Sequence, residues 1–480
     1  MAAQRLTSAQ SPARAPLLET EDDEPQRSAT VASCILNLAN TILGAGTLGI
    51  PSAFALCGSG LGSGLLALFA MLSAFGLHLL SSSAQIIEEK KRAAGETPGP
   101  ATFRSVASAA APRFSTIIDL AVAVKCFGVA TSYLIVGRPS GTTKSRGVDC
   151  GTAAARRRGT AAGSLAGPSR RRRGRKRRPQ VIGDVMPVVA KEFLGSKAAV
   201  LTRREPWIVL AAALVTPLAL KKKLDALRII SACSLACCAG ITVLIFTIAV
   251  QSPAQWDDDA GVALVSFNMQ TLQNLPVFIF AYTCQQNIFA VNNEIRRPTR
   301  ARVDKVIVTS IVSALCVYLV VGNAGYQTFG VDVKSDVLEN YASTPTISVA
   351  RVGVAILVGS SFPLQCHPSR MCIFSLLDQA KGPRPEGDET DAAPTRNVEH
   401  VAVTAIFIVA ALMIALSVKS LGLVLSFVGA TGSTTISYIL PGGIYYTVGP
   451  PGVRRYLAFI QFCLGLVIMP SALAVIFMGN

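Results

Sequence analysis

Asn40-Thr41-Ile42-Leu43-Gly44-Ala45-Gly46-Thr47-Leu48-Gly49-Ile50-Pro51 lies in an apolar run that extends from 32 to 56. A run of that length reads as a membrane span. Its centre does not read as continuous helix. Glycine is a poor helix former, and Pro51 lacks a backbone donor. In hydrocarbon, an unwound backbone is tolerated only where protein or a water-filled cavity receives its polar groups. Close packing at small residues does not require three glycines, an Asn-Thr pair and a proline within twelve residues. The stretch therefore predicts a helix broken at mid-membrane.

A second run carries the same kind of chemistry. Pro276-Val277-Phe278-Ile279-Phe280-Ala281-Tyr282-Thr283-Cys284-Gln285-Gln286-Asn287-Ile288 places four polar side chains together in mid-span. Polar groups at that depth are costly and line functional paths more often than they act as packing glue. The two runs are the first and sixth of the spans. Unusual segments at matching places in two halves point to an inverted five-plus-five repeat, with a solute bound between them. Half-helix amino termini attract a carboxylate. Unwound carbonyls suit an ammonium or Na⁺. A zwitterionic amino acid carries both charges.

Composition agrees with a membrane setting. The chain of 480 residues is 51% hydrophobic and 15% charged, with mean hydropathy +0.46. Spanning runs fall near 32–56, 61–86, 115–136, 206–220, 226–250, 272–292, 304–323, 346–366, 401–418, 421–446 and 456–478. The expectation is an all-α polytopic membrane protein of about eleven helices, with helices 1 and 6 broken. Lys90-Lys91-Arg92, Lys221-Lys222-Lys223, Arg296, Arg297, Arg300, Arg302 and Arg454-Arg455 fall in alternate loops. The bias of basic loops places these, and the amino terminus, in the cytosol. The carboxyl terminus then faces a lumen or the exterior. Residues 1–30, with an acidic knot at 19–24, read as a disordered cytosolic tail. Residues 31–480 read as the transport domain, with a solvated cytosolic loop at 381–396.

One segment breaks this pattern. Residues 137–181 hold fourteen basic residues against Asp149 and supply +13 of the chain's +17. By the topology above, the segment lies on the side opposite the cytosol, against the basic-loop bias. An anionic-lipid, nuclear-targeting or nucleic-acid patch is one reading. The segment has no aromatic residue for base stacking, which argues against nucleic acid as a partner. The preferred reading is an inserted stretch, such as a retained intron. Its removal joins SYLIV to IGDVMP as a smooth helix end.

No enzyme chemistry is legible, since no nucleophile–base pair or metal cluster stands out. Of the twelve cysteines, Cys233, Cys237 and Cys238 cluster on one helical turn without further thiols or histidines, which suits packing and not a zinc site. No cofactor is expected, and no oligomeric state is assigned.

The motifs SCILNLANTILGAGTLGIP (33–51), KCFGVATSYLIV (125–136) with IGDVMP (182–187), PVFIFAYTCQQNIFAVNNEI (276–295), GYQTFG (325–330), SSFPLQCHPSR (360–370) and LGLVLSFVGATGSTTISYILPG (421–442) resemble the amino acid/auxin permease family. The resemblance is to its sodium-coupled neutral amino acid transporters and fungal vacuolar amino acid exporters. It implies a LeuT-like fold and a cation-coupled symporter of neutral amino acids, in a vacuolar, lysosomal or plasma membrane. It also implies a sodium site between the first and eighth helices, at Asn40 with Ser360 or Ser361. The substrate carboxylate is expected on Thr41, Gly44, Ala45, Gly46 and Thr47, with Tyr282 and Thr283 at its other end. The family's vacuolar branch reads Cys-His-Gln-Asn where this chain has Cys284-Gln285-Gln286-Asn287, which weakens a proton-coupled reading.

Lys125 lies well inside the third span, six residues after Asp119. It is grouped with the coupling-ion residues for Na⁺ or H⁺; an ion pair or snorkelling to the interface competes with that role. His367 reads as structural. The competing function is an amino acid sensor that binds substrate and signals without flux.

Overall fold

The computed structural model describes residues 27–44, 46–97, 99–135, 205–251, 262–267, 269–334, 336–342, 344–381, 392–417 and 427–478. Ala45, most of the expected tail, the whole of 137–181 and residues 382–391 of the expected 381–396 loop lie outside them; 392–396 belong to a helix.

The described residues are helical almost throughout. Helix α1 (Val31–Leu43) starts at Thr30, whose hydroxyl accepts from the Ser33 N–H. It stops at Gly44, and α2 (Gly46–Cys57) resumes with a 46° bend. Then come α3 (Ser59–Ala93), the short α4 (Phe103–Ala110) and α5 (Ser115–Ile135). Helices α6 (Glu205–Ala219) and α7 (Arg228–Gln251) follow. The second broken element is α8 (Met269–Ala281), a non-helical step at 282–284, a tight turn at Gln285–Asn287 and α9 (Ile288–Glu294). Long helices α10 (Arg300–Phe329), α11 (Pro345–Lys381) and α12 (Ala392–Ser417) come next. Gly429–Ser433 and Thr435–Ile439 wind as π-helix before α13 (Leu440–Val448), and α14 (Val453–Met478) ends the described chain.

Among the described residues, seven helices are long and apolar enough to cross a membrane, or eight with α1–α2 counted as one bent span. The expected eleven is not reached by length alone, for physical reasons. The sixth span is split at 282–284, the tenth is wound partly as π-helix, and α6 is short. The carbonyl end of α6 is closed by side chains instead of a further turn. Arg370 donates to Ala219 O at 2.7 Å and to Lys221 O at 3.0 Å. The His400 and His367 rings lie 3.0 Å from Leu220 O and Lys222 O. Such donors satisfy the orphan carbonyls of a helix end. His367 thus has a structural task.

Burial separates centre from rim. The apolar window of α11 is 67% buried, whereas those of α14 and α7 are 22% and 28% buried. Exposed Ile229, Val243 and Phe246 on α7 face outward, as a lipid-facing surface requires. Helix α11 packs along α5 and α7, while α10 touches α1, α2 and α3.

Near the expected cytosolic end, the tail is ordered earlier than predicted. Ala29 is buried, donates to Glu294 O at 2.9 Å and accepts from the Arg296 N–H at 2.9 Å. The Glu294 carboxylate accepts from the Leu224 and Asp225 N–H groups at 2.9 and 2.8 Å. Ser33 donates to Asp225 at 2.6 Å. The backbone pairing of Ala29 with Ile295 draws residues 29 and 30 out of the expected disordered segment.

Candidate functional site

The two breaks meet at the centre of the molecule. Tyr318, fully buried on the unbroken α10, lies with its hydroxyl 2.6 Å from Ile42 O and 2.9 Å from Ala281 O. Each carbonyl sits beside a break, so a buried group that a regular helix would satisfy finds its donor elsewhere. A Cβ at Gly46 would fall 3.0 Å from that hydroxyl and 3.2 Å from Ala281 Cα. Only glycine lets the two breaks approach so closely.

On one side of the first break lies a cluster of neutral oxygens. Asn40 Nδ2 donates to Ser231 Oγ at 3.2 Å and Ser360 Oγ at 3.4 Å. Its Oδ1 accepts from Ser234 at 2.8 Å and Ser361 at 3.4 Å. Ser361 also reaches Asn40 O at 3.2 Å, and Ser360 reaches Ser234 Oγ at 2.8 Å. Leu357 O accepts from both Ser360 and Ser361. Asn40, Ser360 and Ser361 are therefore brought together as expected, and both serines take part. The sequence reading missed α7, which supplies Ser231 and Ser234. Two serines three apart on one face of an apolar span were the available signal. Hard cations take oxygen ligands, and the cluster offers carbonyl, amide and hydroxyl oxygens of that chemistry.

On the other side lies a small cavity, with about 10 Å³ open to the centre of a water molecule, lined by Thr41, Gly46, Lys125, Tyr133, Thr283 and Gln365 among others. That is room for about one water. Thr41 donates to Asn37 O and accepts from Asn287 Nδ2, both at 2.9 Å. Thr283 donates to Ile279 O at 2.8 Å. Both hydroxyls spend their protons on the carbonyl four residues back, and each retains a lone pair for a ligand. Gly44 lies against the cavity's Tyr133: a Cβ there would be 3.0 Å from its hydroxyl oxygen.

Two expected contacts fall elsewhere. Thr47 turns its hydroxyl back to Leu43 O at 2.6 Å, across the break. Tyr282 stacks edge-on against Tyr318, and its carbonyl accepts from Ser73 at 2.8 Å. Neither borders the described cavity. Lys125 forms no hydrogen bond with Asn40, Ser360 or Ser361; it lies on the cavity wall instead. Behind Thr283, Ser437 donates to Gln285 Oε1 at 2.9 Å, and Gln285 Nε2 donates to Ser73 at 2.8 Å. Gln285 thus holds a neutral hydrogen-bonded chain. Among the described residues no group of histidine, cysteine and acidic side chains could hold a metal.

The sequence model of the family described as "Transmembrane amino acid transporter protein" matches residues 27–140 and 180–478. The chain belongs to this family. Among its relatives, Vacuolar amino acid transporter 5 of Schizosaccharomyces pombe is 32% identical over 86% of this chain and 83% of its own length. Vacuolar amino acid transporter 6 of Saccharomyces cerevisiae is 27% identical over 93% and 98%. A "putative sodium-coupled neutral amino acid transporter 11" of Danio rerio is 25% identical over 90% and 82%. A solved Na⁺-coupled sialic acid symporter, in a substrate-bound outward-open state, superposes with TM-score 0.50 at 12% identity over 96% of this chain and 93% of its own. That likeness fixes the LeuT-like fold. This transmembrane amino acid transporter family member is an integral membrane protein, and its placement is among carriers and not enzymes.

Proposed function

We propose that the chain is a Na⁺-coupled symporter of neutral amino acids, working by alternating access in a vacuolar or lysosomal membrane, with its amino terminus in the cytosol. One observation carries the reading: two broken helices meet between a cluster of neutral oxygens and a cavity that offers both donors and lone pairs. The amino end of α2 at Gly46 presents backbone N–H groups to a carboxylate. The lone pairs of Thr41 and Thr283 receive an ammonium. Asn40 links the two sites, because its side chain lies in the oxygen cluster and its neighbour Thr41 lines the cavity. Occupation of one site orders the backbone of the other, which supplies coupling. The vacuolar names of two relatives support the choice of membrane. Neutral Gln285 in place of a histidine supports Na⁺ over H⁺.

The space between the breaks is too small for an amino acid, so binding one requires the helices to part. Proteoliposome uptake of radiolabelled neutral amino acids, under an imposed Na⁺ gradient or an imposed pH gradient, tests the proposal. Uptake driven by Na⁺ supports it. Uptake driven by pH alone replaces the coupling ion. Saturable binding with no flux under either gradient replaces the carrier with a sensor.

A further inference from the structure

Lys125 is 2% exposed, and its Nζ has no hydrogen-bond partner among the described residues. A buried ammonium without a counter-charge is expensive. The obvious partner is taken: Asp119, on the same helix, lies 3.6 Å from Arg104 Nη1 and accepts from Ser375 at 2.7 Å. Snorkelling does not explain the residue either, because the side chain ends in the protein interior. The fold makes room for it. Gly432, in the first π-helical segment, gives the stem its path, since a Cβ there would fall 2.6 Å from Lys125 Cβ.

The cavity that Lys125 lines has a surplus of donors. Gln365, a second buried donor, lies on the same wall beside the Tyr133 hydroxyl. The amino end of α2 enters at Gly46. An ammonium, an amide N–H and a helix amino terminus converge on one small space. The complementary group is anionic and accepts hydrogen bonds only, as a carboxylate does.

We propose that Lys125 is the carboxylate-recognising residue of the central cavity, pairing its ammonium with a carboxylate that the substrate brings. The inference rests on the amino acid reading above and deepens it. The solute supplies the missing counter-ion, so an uncharged analogue of the same shape leaves Lys125 unpaired and binds weakly. Either an α-carboxylate or a side-chain carboxylate meets this chemistry.

The test uses the purified full-length chain. Binding of radiolabelled L-alanine, L-glutamine, L-leucine and L-glutamate is measured, with competition by L-alaninamide and L-leucinamide. The wild type should prefer each acid to its amide by at least tenfold. Lys125→Met, of similar length and without charge, should weaken acid binding at least tenfold and bring the acid-to-amide ratio near one. That ratio does not depend on how much of the variant is folded. Loss confined to L-glutamate assigns the side-chain carboxylate; loss across all four assigns the α-carboxylate. A Lys125→Met variant that keeps its acid-to-amide ratio within twofold of wild type and also binds L-glutamate within twofold of wild type overturns the proposal alone. A wild type that binds none of the amino acids overturns the parent reading and this one with it.

Discussion

The hydroxyl of Tyr318 lies 2.6 Å from the carbonyl oxygen of Ile42, and the same hydroxyl sits 2.9 Å from Ala281 O. One side chain on a continuous helix thus serves both broken ones. Tyr318→Phe keeps the ring and removes the donor. Losing a partner for buried carbonyls costs about 1–3 kcal/mol. The purified variant should melt several degrees lower, with uptake reduced more than the melting temperature alone explains. Equal melting curves would show that the breaks need no tie.

Asn40→Ala deletes the hub of the oxygen cluster. Half-saturation for Na⁺ should rise at least tenfold, while binding of the amino acid without Na⁺ changes little. Na⁺ titration of uptake in proteoliposomes reads this directly. An unaltered Na⁺ response would make the cluster a packing feature.

Gly46→Ala tests the close approach of the two breaks. The added methyl would press on the Tyr318 hydroxyl and the Ala281 backbone. Overpacking of this kind costs about 1–3 kcal/mol. Because Gly46 also lines the cavity, uptake should fall more than tenfold in protein that still purifies as a monodisperse peak. Normal uptake by this variant would mean that the breaks separate freely.

Asp336 lies between α10 and α11, where it caps a short turn by accepting from the Leu338 N–H at 2.9 Å. Burial raises its carboxyl from 3.8 to about 6, against the opposing pulls of that N–H, Arg351 and Lys334. The fold therefore favours the protonated acid. This contribution is complete below about pH 4 and is lost as pH rises through about 6. Thermal stability should decline across that window, and Asp336→Asn should flatten the decline. An unchanged pH profile in the variant would remove Asp336 as its source.

Deletion of 137–181 should leave a chain that inserts and transports. The family match steps over 141–179, and the segment carries +13 of the chain's charge. Higher uptake per molecule by the shortened chain would identify the segment as foreign to the carrier. Loss of all uptake would make it a working part.

The breaks were legible because they rest on local chemistry. Glycines, a proline and clustered amides are written at 40–51 and 276–288. Asn40, Ser360 and Ser361 followed from resemblance, and the fold brings them together. Ser231 and Ser234 were not found, because α7 looks like any other apolar span until its packing against α1 is known. Tyr318 was hidden for the same reason. Thr47 and Tyr282 were expected at the substrate, but a side chain next to a break can turn across the break, as Thr47 does to Leu43 O, or against a neighbouring helix, as Tyr282 does to Tyr318, and spacing does not show which way. Lys125 was noticed for its charge; its place on the cavity wall required the crossing of α5 with α1 and α11.

Glu294 ends α9 with its carboxylate on the backbone of residues 224 and 225 and its carbonyl on Ala29. The lower halves of both broken helices are thereby fastened to each other and to the linker before α7. They cannot swing singly. Any outward tilt of this end turns them as one lever about the two bends, with Tyr318 near the fulcrum. An opening toward that side therefore either moves the two halves together or breaks the hydrogen bonds of Glu294 and Ala29.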